Sequence, residues 1–290
     1  MSGASVDAGP LVPSTSIPLQ LSTKSCATGV DHDAPLRFQG PHIAIYVDDD
    51  VTMHQPRIDS IGAAFEAIMA TNTAVYGPTT DLDGNGVVYA IMTSAIPGGA
   101  YCDSVRRLRV EAFYTTWSPT VRIESLMALF AHEHQHVIHS GIRIQRQDDA
   151  LWLNEALSLA AEALNEYWYT ALPRAWLFLN GQNTGLTMLE TAYSRSFDEK
   201  YMMFLLYLRD RFGDDFFARL ETNPRSDVAN IESTTGLPIE IVLRDWFVAS
   251  GVSGRGSVDD PAYTYESIDL HGMAAEAAAC VCLPDPFFAF

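Results

Sequence analysis

The chain has 290 residues, 48% of them hydrophobic, with 36 Asp and Glu against 18 Lys and Arg and a formal net charge of −18. This length and apolar content suit a globular protein of one or two domains and exclude a disordered chain. So acidic a surface repels nucleic acid and anionic membrane, which removes both as expected partners, and no run of about 18 apolar residues predicts a membrane-spanning helix.

Residues 1–36 are rich in Ser, Pro, Gly and Thr without apolar periodicity and are expected to form a flexible leader. The opening "MSGASVDAGPLVPSTSIPLQ" lacks a basic start followed by an apolar stretch, so no signal peptide is expected in it. Cys26, Cys102, Cys280 and Cys282 make no CxxC pair, which disfavours a cysteine-rich zinc cluster. Disulfides in several pairings and isolated thiols both remain open.

Alternating β-branched residues predict a strand in "HIAIYVDDDV" (42–51), followed by an amphipathic helix over 58–77 that ends at Gly77. "GVVYAIMTSA" (86–95) and "RLRVEAFYTT" (107–116) read as two further strands. The turn "DLDGNG" imitates the start of a calcium loop through Asp81, Asp83 and Asn85, but Met92 stands where the closing glutamate belongs. A tight Asp/Asn-Gly turn explains the same letters.

After Pro119 the pattern becomes helical: 121–141 stopping at Gly141, 148–168 opening on two aspartates, and 198–213 ending at Gly213. Shorter helices are predicted near 214–221, 225–233 and 238–249, whereas 251–290 has no clear pattern. The expected organisation is α+β. It comprises an α/β lobe over 37–141, a helical lobe over 142–250 and a C-terminal extension.

The segment "FAHEHQHVIHSG" (130–141) lies at the seam, where His132, Glu133 and His136 spell H-E-x-x-H. Residues four apart on a helix differ by about 40° around its axis, so the two imidazoles point the same way and can share one ion. Glu133 leans toward the ion's vacant side, where it can take a proton from water and return it to a leaving amine. The same letters also fit an exposed polar helix face. Glu155 follows His136 after 18 intervening residues, enough for a turn and an antiparallel second helix. Two histidines and a glutamate then make a catalytic zinc set with one open position. His134 stands about 200° from His132 and should face elsewhere, while His139 shares the ligand face approximately and is the one rival.

"HEHQH", 18 residues and then "WLNEALSLAAE" resemble the gluzincin metallopeptidases, and look most like the hyicolysin family of secreted bacterial metallopeptidases. The block is also similar to the gluzincin aminopeptidases, and a weaker likeness spans roughly 40–250. The resemblance implies a two-lobed zincin-like fold, zinc on His132, His136 and Glu155, Glu133 as general base, and an outer-shell carboxylate at Glu162. Glu162 lies seven residues past Glu155, nearly eclipsed on the same helix face. The resemblance also implies a peptide or protein substrate and a secreted or envelope-associated protein.

Two departures stand out. Many gluzincins carry Asp four residues after the ligand glutamate, where this chain has Leu159. The Gly-x-Met-Glu-Asn segment that holds a free amine in the aminopeptidases is replaced by "PGGAYCDSV", which favours cutting inside chains. An oxyanion donor is expected among Tyr193, Tyr201 and Tyr207, with Tyr201 first by its place at the start of a long helix. A ring that simply packs fits each of the three as well. The strand before the metal helix is where such an architecture presents an edge to an extended peptide.

Overall fold

The computed structural model describes residues 15–21, 30–81, 84–94, 112–117, 121–143, 150–167, 198–254, 258, 260–270 and 272. All four cysteines, the "PGGAYCDSV" stretch, Asp83, Asp148, Asp149 and Tyr193 lie outside them. The fold is α+β, with strands first and helices after. Among the described residues no helix is long and apolar enough to cross a membrane.

Five strands make one mixed sheet in the order β1 (Ser16–Leu21), β2 (Val30–Gln39), β3 (Ile43–Val47), β4 (Val88–Thr93), β5 (Ala112–Thr116). β1–β2 and β2–β3 are antiparallel, whereas β3–β4 and β4–β5 are parallel. Helix α1 (Gln55–Tyr76) supplies the crossover that the parallel β3–β4 pair requires, and it ends where Gly77 adopts φ +106°. Part of the stretch expected to be a flexible leader is therefore sheet. β1 pairs with β2 from Ser16↔Pro35 to Leu21↔Val30. Main-chain pairing needs no apolar alternation, and β1, first in the strand order, tolerates Pro18 as an edge strand does.

The chain divides into two compact units, residues 1–70 with 79–137 and residues 71–78 with 138–290. In the first, period-two alternation puts Ala44, Tyr46, Tyr89, Ile91, Ala112 and Tyr114 into one buried cluster. Phe113 points to the opposite face, where its ring meets Phe130 edge-on at 4.9 Å, and Phe130 stacks on Phe65 of α1 at 3.5 Å.

The second unit is helical: the C-terminal end of α2 (Ile123–Arg143), then α3 (Leu151–Leu164), α4 (Asp198–Phe212), α5 (Phe216–Thr222), α6 (Asp227–Thr235) and α7 (Ile239–Val252). Its core gathers Leu157, Phe204, Tyr207, Phe216, Phe217 and Trp246, each worth about 1.5–3 kcal/mol on burial. The chain beyond α7 joins that core through Tyr265, Ile268 and Leu270. Asp210 Oδ2 pins the segment by accepting from the Glu266 and Ser267 amides and the Ser267 hydroxyl.

Candidate metal centre

α2 presents the histidines. Glu124 in its first turn and Arg143 in its last oppose the helix dipole, and Leu126, Phe130, Val137 and Ile138 bury its apolar side. The expected stop at Gly141 does not occur, because the helix continues to Arg143. Arg143 donates from Nη2 to the Leu220 carbonyl at 2.6 Å, a buried bond that outweighs the roughly 1 kcal/mol cost of a helical glycine.

His132 and His136 stand one turn apart with Nε2 atoms 3.1 Å from each other and rings nearly perpendicular, at 79°. Two nitrogens at about 2.0–2.1 Å from one tetrahedral ion would be separated by about 3.3 Å, so the pair already has a chelating spacing. Glu155 on α3 completes the group: one donor atom from each of His132, His136 and Glu155 lies within 4.8 Å of the others. It is the one such group of His, Cys, Asp and Glu among the described residues. Two imidazoles and a carboxylate suit a divalent transition ion.

Glu133 is buried, at 3% exposure. Glu162 is also buried, at 5%, unlike an ordinary solvated helix glutamate. Leu159 lies in the apolar core of the helical unit.

The other two histidines separate cleanly. His134 is fully buried, its ring stacked on Phe130 at 6.0 Å, and burial lowers its pKa to about 3. His139 is buried with Nδ1 2.8 Å from Glu221 Oε2, outside the ligand group. Glu221, fully buried on α5, is a partner of this helix that sequence reading missed. A histidine and an arginine four residues apart on an apolar helix are the only signal that could have pointed to a buried acid.

Tyr201 is buried near the start of α4, its ring 5.1 Å from that of Trp152, which is one turn ahead of Glu155. Lys200 beside it is buried too, with Nζ 5.6 Å from the Tyr201 ring centre. The Tyr207 hydroxyl donates to the Ala262 carbonyl at 2.7 Å and accepts from Arg211 at 2.8 Å; burial pushes its pKa up to about 12. Those bonds make Tyr207 a packing and anchoring residue. In the "DLDGNG" turn, Asn85 Oδ1 accepts from the Val87 amide at 2.7 Å while Gly84 and Gly86 take φ +74° and +70°. That is a local Asx turn, and Met92 is buried within β4.

No protein-family model matches the chain, and no curated protein matches it in sequence.

Proposed function

We propose that the protein is a zinc-dependent endopeptidase of gluzincin type, with a mixed α/β lobe and a mainly helical lobe in a zincin-like arrangement. The observation that carries the reading is the convergence of His132, His136 and Glu155, with a buried Glu133 next to His132 on the same helix. When bound, zinc supplies Lewis acidity that polarises a peptide carbonyl and makes a neighbouring water a good nucleophile at neutral pH. Glu133 takes the proton from that water and delivers it to the departing amine. Glu162 orients a ligand imidazole, and Tyr201 donates to the oxyanion. β5, last in the strand order and packed through Phe113 on Phe130 of the metal helix, offers its backbone to an extended substrate. Calcium is not part of this reading, since the Asn85 side chain serves the turn. Secretion or association with the cell envelope follows from the family resemblance alone.

The deciding experiment is Glu133→Gln. The variant should keep its zinc and lose cleavage of an unstructured protein such as casein by a factor of about 10² or more. Cleavage that survives the change sinks the role of Glu133. A second reading, a zinc-binding module without catalysis, is favoured by Leu159 in the place where many gluzincins carry aspartate. It requires that a chelator lower the melting temperature while no member of a peptide library is cut.

A further inference from the structure

His132, His136, His139 and Arg143 follow one another at spacings of four, three and four along α2, within a sweep of about 60° around its axis. One stripe of the helix therefore carries the two candidate ligands and then two basic groups. The basic pair ends on α5. His139 Nδ1 lies 2.8 Å from Glu221 Oε2, Arg143 Nε lies 3.7 Å from the same oxygen, and Arg143 Nη2 reaches the Leu220 carbonyl at 2.6 Å. Asn230 of α6 donates to that same carbonyl at 3.0 Å.

The other end of α5 reaches the second ligand helix. The Phe217 ring stacks on Tyr76 at 5.4 Å, and the Tyr76 hydroxyl donates to the Leu157 carbonyl at 2.9 Å. Leu157 is two residues past Glu155. Five consecutive residues of α5, from Phe217 to Glu221, thus grip α2 directly and α3 through Tyr76.

We propose that Glu221 is a positioning residue for the metal centre, setting the rotation of α2 through His139 and Arg143. The inference rests on the three-ligand reading of His132, His136 and Glu155. An imidazole nitrogen sits roughly 6 Å from its helix axis, so a rotation of about 10° moves it by about 1 Å. Metal geometry tolerates about half that. The stripe arrangement means that any turn of α2 large enough to misplace the ligands also breaks the bonds to Glu221.

The test uses cobalt(II) as probe on the full-length metal-free protein. Its visible absorption reports coordination geometry, and competition with a chromophoric chelator gives affinity. Glu221→Gln and His139→Leu should weaken cobalt binding by about tenfold or more and change the shape of the spectrum, on a scale set by other residues that orient metal ligands. The far-ultraviolet circular dichroism of both metal-free variants should stay that of wild type. His139→Asn, whose amide nitrogen occupies the place of Nδ1, should restore the wild-type spectrum. Unchanged affinity and spectrum in Glu221→Gln and His139→Leu overturn the proposal. So does loss of the folded signal in both, because the cluster would then hold up the whole unit rather than orient the ligands. Wild type that binds no cobalt overturns the ligand set, and the proposal with it. Binding lost in Glu155→Ala yet untouched in Glu221→Gln overturns the proposal alone.

Discussion

The imidazole of His134 stacks on the ring of Phe130, with the centroids 6.0 Å apart and the planes 14° from parallel. Only two positions separate it from His132 and from His136, yet it belongs to the core. Burial holds its folded-state pKa near 3 against an ordinary 6.5, so the unfolded chain binds the extra proton between those values. Stability contributed by neutral His134 is present above pH 6.5 and is lost as pH falls toward 3, at up to about 1.4 kcal/mol per pH unit. Urea unfolding in chelator at pH 7 and pH 5 should show this loss in wild type and a shallower one in His134→Phe. Equal slopes would place the titration elsewhere.

Removal of the metal should be visible as lost stability. An ion present at about a thousand times its dissociation constant adds about 4 kcal/mol, a shift in melting temperature on the order of 10 °C for a chain of this size. Differential scanning calorimetry should show that drop on adding chelator to wild type and none in Glu155→Ala. A chelator effect that persists in the variant removes Glu155 from the site.

Glu162→Leu tests the outer carboxylate. If Glu162 orients a ligand imidazole, zinc affinity should fall about 10- to 100-fold. Melting of the metal-free protein should change little, because a buried carboxylate is exchanged for an apolar side chain of similar size. Competition titration reads the first quantity and calorimetry the second. Unchanged affinity would leave Glu162 without a part in metal binding.

Tyr265→Phe probes how the chain end is held. The Trp246 indole donates to the Tyr265 hydroxyl at 2.6 Å, and that hydroxyl donates to the Met203 carbonyl at 3.0 Å, all of it buried. Removing one oxygen strands two polar groups and should cost about 2–4 kcal/mol in urea unfolding, with zinc content unchanged. A loss under about 0.5 kcal/mol would mean that water takes over both bonds.

The parts of this molecule that could be read in advance are those governed by a local period. The 3.6-residue repeat separated His134 from His132 and His136, and the two-residue repeat located β3 and β4. The return distance of a second helix pointed to Glu155. What escaped depends on partners far along the chain. His139 meets a carboxylate 82 residues away, and Arg143 carries α2 past Gly141 by reaching Leu220, 77 residues distant. The composition of 16–36 says nothing of strand pairing, because the bonds that form β1 and β2 belong to the main chain and ignore side-chain type. Tyr265 likewise sits in a stretch without periodicity; its anchors are single atoms on α4 and α7.

The β1–β2 ladder has a practical outcome for anyone shortening this chain. Trimming the first three dozen residues, where composition alone would put the cut, deletes β1 and most of β2 and strips β3 of part of its neighbour. Cutting between the two strands instead bares the outer amides and carbonyls of Val30–Pro35. Either truncation manufactures a fresh, sticky sheet margin, and the shortened protein should self-associate in a concentration-dependent way that the intact one does not.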